Sequence, residues 1–221
     1  MKLAMIRHGK TDGNLEKRYI GSRTDEALCE EGIREIRIRI SEGYYPDASR
    51  LFVSPLLRCR ESAALIYPTF QQIVIPDFRE CDFGRFEGRN YNELSGDPAY
   101  QAWINSGGAL PFPGGESRDA FVLRIGAAFR KICESIMGTP FSADAFHVRQ
   151  LTCEAAPSSR TDTHGKTIPE YTDTLSRADL ALVVHGGTIM AVMQLLTGCD
   201  YYDYQLANGD CLLLEITELQ P

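Results

Sequence analysis

The stretch Leu180-Ala181-Leu182-Val183-Val184-His185-Gly186-Gly187 decides the fold predicted for this chain. Five consecutive apolar residues are typical of a strand that is buried on both faces of a parallel sheet. The N-terminus repeats the pattern, because the largely apolar residues 2–6 are followed by Arg7-His8-Gly9. Each apolar run therefore predicts a buried strand that ends at a histidine followed by glycine.

Strand and helix patterns alternate along the rest of the chain. The further predicted strands cover residues 51–53, 73–75 and 211–216, and the predicted helices cover residues 30–40, 56–67, 117–137 and 188–196. This alternation predicts an α/β fold with a mostly parallel central sheet and helices on both of its faces. Such sheets bind ligands beyond the carboxyl ends of their strands. We therefore expect His8 and His185 to meet in one crevice.

The length and composition favour a single globular domain over residues 1–221. The chain has 43% hydrophobic and 24% charged residues, which is ordinary for a protein with one substantial core. Within this domain, residues 138–177 show neither a helix nor a strand period. The sequence therefore predicts an irregular insertion at about residues 138–177.

The charge and the apolar segments disfavour several classes of partner. A formal net charge of −7 and a pI near 5.2 argue against a nucleic-acid partner. No apolar run is long enough to span a membrane, and the one before Arg7 is too short for a signal peptide. The seven cysteines include no Cys-x-x-Cys pair, which predicts free thiols. We expect a cytoplasmic protein without nucleic-acid or membrane partners, and the sequence indicates no oligomeric state.

Basic and amide side chains accompany the two predicted strand-end histidines. Arg7 adjoins His8, Asn14 follows in the next loop, and Arg58 opens the helix after the second strand. A neutral histidine at such a position can be a nucleophile, a general base or a metal ligand. Two arginines repel a cation, whereas arginine, histidine and amide groups together favour a dianion such as phosphate. An anion site is therefore the better interpretation than a metal site.

Five motifs, in this order, resemble those of the histidine phosphatase superfamily, which has the phosphoglycerate mutase-like fold. They are Arg7-His8-Gly9-Lys10-Thr11-x-x-Asn14, Ser54-Pro55-Leu56-x-Arg58-Cys59-x-Glu61-Ser62-Ala63, Glu80-x-x-Phe83-Gly84-x-Phe86-Glu87-Gly88, Pro113-Gly114-Gly115-Glu116-Ser117 and Val184-His185-Gly186-Gly187. The resemblance covers about residues 1–137 and 178–216. Tyr19-x-Gly21 and Tyr100-x-x-Trp103 are most similar to the α-ribazole phosphatase-type subgroup.

The resemblance implies a role for each matching residue. His8 would be the nucleophile that forms a phosphohistidine, and Glu80 would be the proton donor and then the general base. Arg7, Arg58 and His185 would also stabilise the transition state. The residues implied in substrate binding are Arg7, Asn14, Arg58, His185 and Gly186. Because His185 is followed by glycine rather than by the acid of the superfamily's second branch, Glu80 is the matching acid.

The implied function is a metal-independent, cofactor-free phosphatase acting on a small phosphorylated metabolite. The subgroup resemblance suggests α-ribazole 5′-phosphate. Two alternatives remain open from the sequence: a phosphoglycerate mutase, and a binding module that has lost the chemistry. The first requires the phosphoenzyme to return its phosphoryl group to the substrate, and the second requires ligand binding without turnover.

Several other residues have a structural rather than a catalytic or ligand-binding interpretation, and one residue departs from the family pattern. We expect Glu116 and Ser117 to cap the helix that follows, and Tyr19, Tyr100 and Trp103 to pack in the core rather than to stack on a ligand. His147, Cys153 and His164 have an irregular spacing, which favours surface positions over a metal site. Met190 stands where relatives often have arginine.

Overall fold

The computed structural model describes residues 1–151, 158–161, 167–170 and 177–218. The strands are β1 (Lys2–Arg7), β2 (Leu51–Val53), β3 (Gln72–Val74), β4 (Phe146–Leu151), β5 (Ser158–Thr161), β6 (Thr167–Glu170), β7 (Leu180–Val184) and β8 (Cys211–Glu218). The helices are α1 (Asp12–Leu15), α2 (Glu30–Ser41), α3 (Leu57–Ile66), α4 (Tyr91–Leu94), α5 (Pro98–Asn105), α6 (Arg118–Met137) and α7 (Gly186–Thr197). Within the described ranges, no helix has both the length and the apolarity to cross a bilayer.

A six-stranded sheet with the order β3-β2-β7-β1-β8-β4 forms the centre of the fold. Strands β3, β2, β7 and β1 run parallel, β8 pairs antiparallel with β1, and β4 pairs antiparallel with β8 at the edge. The predicted α/β fold with a mostly parallel sheet is thus confirmed. Strand β7 is fully buried along its length, as its unbroken apolar sequence predicts.

The register of β1 against β7 places the candidate histidines side by side. Arg7 lies opposite Val184 in the parallel ladder, so both strands end at the same level of the sheet. The His8 amide N–H continues the ladder by donating to the Val184 carbonyl at 3.0 Å. Because the next residue after each strand is a histidine, the two histidine rings lie next to each other, with their centroids 5.2 Å apart.

The structure departs from the prediction of an irregular insertion at residues 138–177. Residues 146–151 form strand β4, which pairs antiparallel with β8 at the edge of the main sheet, and β5 and β6 form a separate two-stranded hairpin. The prediction is therefore wrong for these elements. Phe146, Val148 and Leu151 are the half-buried residues of β4, and only the first two follow the alternation of a strand. The signal for a strand in the sequence is therefore weak. His147 is exposed on β4, whereas Cys153 and His164 lie outside the described residues.

The sequence also shows no hydrophobic period that would predict the three short helices α1, α4 and α5. Two of them span only four residues, less than two turns, so no amphipathic repeat can develop. Their starts are nevertheless fixed by side-chain caps: Thr11 for α1, Asn90 for α4 and Asp97 for α5. These helices therefore depend on capping and on contacts with the rest of the fold.

Helix α6 packs against α7, contributes its apolar stripe to the main core cluster and has well-defined ends. The Ser117 hydroxyl accepts from the Ala120 amide at 3.1 Å, which confirms the predicted cap. The expectation that Glu116 shares this role is wrong, because its carboxylate instead pairs with Arg124. Gly138 ends the helix in the left-handed region at φ 72°, a conformation that glycine adopts without steric cost.

We expect Phe129→Ala to destabilise the protein by about 3–5 kcal/mol, because it removes a fully buried ring from α6 and leaves a cavity. The ring lies 5.8 Å from that of Phe141, centroid to centroid. The free energy of unfolding in urea is the measurement. Leu123→Ala on the same helix is the matched control, since this side chain is 70% exposed and should change stability by less than about 0.5 kcal/mol. Equal losses in the two variants would contradict the assigned packing of α6.

Candidate active site

The hydrogen bonding of His8 determines which of its two ring nitrogens carries the proton. Its Nδ1 lies 2.7 Å from the Gly9 carbonyl oxygen, and a carbonyl can only accept a hydrogen bond. The proton is therefore on Nδ1, and Nε2 keeps its lone pair. The ring is 4% exposed and packs edge-on against the His185 ring at 5.2 Å between centroids.

The surroundings of His8 keep its ring neutral. Burial lowers the pKa of His8 well below its ordinary value of 6.5, and the positive charges of Arg58 and Arg7 lower it further. A neutral imidazole with a free Nε2 is the form that acts as a nucleophile.

Two arginines act on this histidine through their charge, the half-buried Arg7 and the fully buried Arg58, and both have unused donors. Arg58 is fully buried, and its terminal nitrogens donate to backbone carbonyls of Ile20, Gly21 and Thr24. Arg7 donates through Nη1 to the Leu206 carbonyl at 2.6 Å. The Nε–H groups of both arginines are buried without a hydrogen-bond partner in the part of the chain that the structure describes. Such N–H groups carry a desolvation cost, which an acceptor within hydrogen-bond distance would reduce.

His185 is the N-cap residue of α7, and its side chain is fully buried. Its Nε2 lies 2.6 Å from the Ser54 hydroxyl oxygen, and the Cys59 sulfur is 3.5 Å away. Burial, followed by the charge of Arg58, lowers the pKa of His185 well below 6.5. Ser54 therefore orients a neutral ring, a role that the sequence did not assign. The available signal was its position directly after strand β2.

Asn14 is held at the end of α1 by two hydrogen bonds to its side-chain oxygen. The donors are the Thr11 amide and the Asn208 side chain, each at 3.2 Å. Since the oxygen is engaged, the Asn14 amide nitrogen is the group left for a ligand. Asn208 also donates to the His8 carbonyl at 3.1 Å. It joins the two ends of the chain at this site and was not predicted.

Glu80 is a buried carboxyl group on the other side of the cavity. Its Oε1 accepts from the Cys81 amide at 2.8 Å and its Oε2 from the Gly187 amide at 3.3 Å. A Cβ at position 187 would lie 2.4 Å from Oε1, so only glycine allows this approach. Burial raises the pKa of Glu80 above its ordinary value of 4.5, against the opposing effects of these amides and of Arg58. A raised pKa suits a carboxyl group that donates a proton.

A cavity of about 320 Å³ opens beside these groups. Five of the predicted site residues line it, namely Arg7, His8, Asn14, Glu80 and Gly186. Arg58 and His185 are fully buried and act on His8 from behind its wall through contact or charge. The aromatic lining residues are Tyr19, Phe83, Trp103, Phe112, Phe121, Tyr201 and Tyr202, and Met190 also lines the cavity.

The aromatic residues at positions 19, 100 and 103 all pack in the core, and two of them also line the cavity. Tyr100 packs edge-on against Phe86 at 5.3 Å, as expected for a core contact. Tyr19 and Trp103 pack in the same cluster and also form part of the cavity wall. The expectation that they only pack is therefore incomplete. The Trp103 indole N–H is buried and has no partner among the residues described.

We expect the His8 ring to be neutral at pH 7, with its proton on Nδ1. Nitrogen-15 NMR of histidine-labelled protein distinguishes the two tautomers and the charged form, and a His8→Gln variant assigns the signal among the four histidines. The ring should become charged only well below pH 6.5, because burial and two arginines oppose the positive charge. A charged ring at pH 7, or a proton on Nε2, would contradict the geometry.

Comparison with known proteins gives a consistent set of relatives. The chain is 29% identical over 129 residues to an adenosylcobalamin/alpha-ribazole phosphatase of Salmonella typhimurium, an alignment that covers 57% of this chain and 63% of that protein. It is 33% identical over 127 residues to a 2,3-bisphosphoglycerate-dependent phosphoglycerate mutase of Methylobacterium radiotolerans, covering 52% and 58%. The chain thus aligns with about three fifths of the length of these relatives.

The fold comparison and the family profile agree with the sequence relatives. A phosphoglycerate mutase from Thermus thermophilus superimposes with a TM-score of 0.60 at 26% identity, covering 96% of this chain and 92% of that structure. This confirms the predicted phosphoglycerate mutase-like fold. The profile of the histidine phosphatase superfamily (branch 1) matches residues 3–141, the part that carries Arg7, His8, Arg58 and Glu80. With more than half of its length matched, the chain belongs to the histidine phosphatase superfamily, branch 1.

Proposed function

We propose that this protein is a metal-independent phosphatase that hydrolyses a small phosphomonoester through a phosphohistidine at His8. The observation that carries the proposal is the pair of buried, unpartnered Nε–H groups of Arg7 and Arg58 around the neutral His8 ring, within the part of the chain described. Family membership supports the same chemistry. Phosphoryl transfer depends mainly on positioning and on charge stabilisation, and these are the properties of this site.

In the first step, Nε2 of His8 attacks the phosphorus atom and forms the P–N bond. The P–O bond to the leaving group breaks, and the leaving oxygen takes a proton from the Glu80 carboxyl group. The guanidinium groups of Arg7 and Arg58 stabilise the charge on the non-bridging oxygens. A bound dianion also opposes the effect of the two arginines on His185 and favours its protonated form, which adds a donor.

In the second step, a water molecule replaces the leaving group. The Glu80 carboxylate, left ionised by the first step, removes a proton from the water as its oxygen attacks phosphorus. The P–N bond breaks, Nε2 of His8 regains its lone pair, and inorganic phosphate leaves. Glu80 is protonated again, so the cycle closes without a metal ion or a further cofactor.

For the substrate we propose α-ribazole 5′-phosphate. The aromatic wall suits a flat heteroaromatic leaving group, and the indole N–H of Trp103, unpartnered among the described residues, can donate to an acceptor on it. The Salmonella relative is named for this activity. The leaving group in this assignment is an alkoxide of a sugar, which needs the proton that Glu80 supplies.

Phosphoglycerate mutase is the second candidate, and one observation favours it. Arg118 lines the cavity and makes no hydrogen bond or ion pair with any described residue, so its guanidinium is free to bind a substrate carboxylate. The Methylobacterium relative is named as such a mutase. The two candidates share the phosphohistidine step and differ in the acceptor of the second step.

We expect phosphate release from α-ribazole 5′-phosphate that is unchanged by EDTA. His8→Ala should lower kcat/KM by at least about 10³-fold, because the nucleophile is removed. His147→Ala is the matched control, since this histidine is exposed on β4 and should leave kcat/KM unchanged. The assay panel includes 3-phosphoglycerate, ribose 5-phosphate and p-nitrophenyl phosphate.

Full activity in His8→Ala, or activity that EDTA abolishes, would overturn the phosphatase mechanism. Conversion of 3-phosphoglycerate to 2-phosphoglycerate without phosphate release would establish the mutase. Release from the panel but not from α-ribazole 5′-phosphate would keep the mechanism and overturn the substrate.

A further inference from the structure

Arg124 and Glu116 form a buried ion pair that the proposed mechanism does not use. The Nε of Arg124 donates to Oε1 of Glu116 at 3.0 Å, and its Nη2 donates to Oε2 at 2.7 Å. Their side chains are only 13% and 16% exposed. This two-point geometry fixes the plane of the guanidinium group and leaves its other N–H bonds in a defined direction.

The remaining donors of Arg124 bind the backbone that carries Glu80. Nη1 donates to the carbonyls of Asp77 at 2.6 Å and Arg79 at 3.1 Å, and Nη2 reaches the Glu80 carbonyl at 3.5 Å. Residues 79–83 belong to no strand or helix. The guanidinium group therefore supplies hydrogen bonds that regular secondary structure would otherwise provide.

Glu116 binds the same segment two residues further along. Its backbone amide donates to the Asp82 carbonyl at 2.8 Å, and its Oε2 accepts from the Asp82 amide at 3.4 Å. The ion pair thus holds the segment on both sides of Glu80. Since Glu80 must keep its carboxyl group against the Gly187 amide, the position of this backbone sets the position of the proton donor.

Neither member of the pair lines the cavity. The Arg124 guanidinium lies over the ring of Phe121, 5.1 Å from its centroid, and this ring lines the cavity. Apart from the effect of the Arg124 charge on His185, the pair therefore acts on the reaction through the residues that it holds.

We propose that Glu116 and Arg124 are positioning residues that hold Glu80 in place as the proton donor to the leaving group. The inference rests on the proposed function, because it requires Glu80 to be the proton donor. A lysine at position 124 would keep the charge and lose the planar set of donors. Glutamine at position 116 would keep the shape and lose the ion pair.

The test compares two substrates whose leaving groups differ in their need for a proton. p-Nitrophenyl phosphate releases a stable anion without a proton donor, whereas 2-phenylethyl phosphate releases an alkoxide and needs one. The Glu80→Gln variant lacks the proton donor and is the reference. Its kcat/KM should fall about 10²-fold or more for the alkyl ester only. Arg124→Lys and Glu116→Gln should each lower kcat/KM for the alkyl ester about 10-fold or more, and for the nitrophenyl ester less than about 3-fold.

Two further variants separate positioning from a general structural effect. Arg149→Lys alters an exposed ion pair with Glu215 at the far edge of the sheet and should leave both substrates unaffected. Adding Arg124→Lys to Glu80→Gln should produce no further selective loss, because the donor that Arg124 positions is already absent. Equal losses on both esters, no loss, or an additive effect with Glu80→Gln would each overturn the positioning proposal.

The same variants distinguish a failure of the proposed function from a failure of the positioning inference. If Glu80→Gln itself shows no preference for the better leaving group, the assignment of Glu80 as the acid is wrong. If Glu80→Gln is selective and the Arg124 and Glu116 variants are not, the proposed function stands and the positioning inference is wrong.

Discussion

The incomplete hydrogen bonding of Arg7 and Arg58 is the constraint on which the rest of the site depends. Arg58 is fully buried and Arg7 is half-buried, and backbone carbonyls of residues 20, 21, 24 and 206 accept from the terminal nitrogens of Arg58 and from Nη1 of Arg7. Their Nε–H groups stay unpartnered within the described chain. The two positive charges and the burial keep His8 and His185 neutral. A bound anion would supply acceptors and compensating charge together, which is the basis of the proposed phosphate site.

The sheet creates this arrangement through its register. Strands β1 and β7 end level with each other, and residues that are far apart in sequence meet in one crevice. Helix α7 begins at Gly186, directly after its N-cap residue His185, and the Gly187 amide donates to the Glu80 carboxyl group. The buried strands β1 and β7 thus determine the positions of His8 and His185. The rest of the cavity lining comes from loops, from the short helices α1 and α5, and from α6 and α7.

The sequence allowed much of the fold to be predicted, and five of the seven predicted site residues line the cavity. The apolar runs of β1 and β7 were detectable because both of their faces are buried, and the glycines after each histidine marked the turns. Strand β4 escaped because it is an edge strand with one half-buried face. The contributions of Ser54, Asn208 and Arg124 depend on contacts between distant segments, and no local period or spacing encodes such contacts. The raised pKa of Glu80 likewise depends on burial that only the folded chain provides.

The central claim is that phosphoryl transfer takes place at Nε2 of His8. The most direct measurement is to mix the protein with p-nitrophenyl phosphate, quench the reaction in alkali and locate the phosphoryl group by peptide mapping and phosphorus NMR. The account predicts an alkali-stable, acid-labile phosphohistidine at His8, bonded through Nε2, which is absent in a His8→Asn variant. A phosphoryl group on another residue or on Nδ1, or turnover by the variant without any phosphoenzyme, would contradict it.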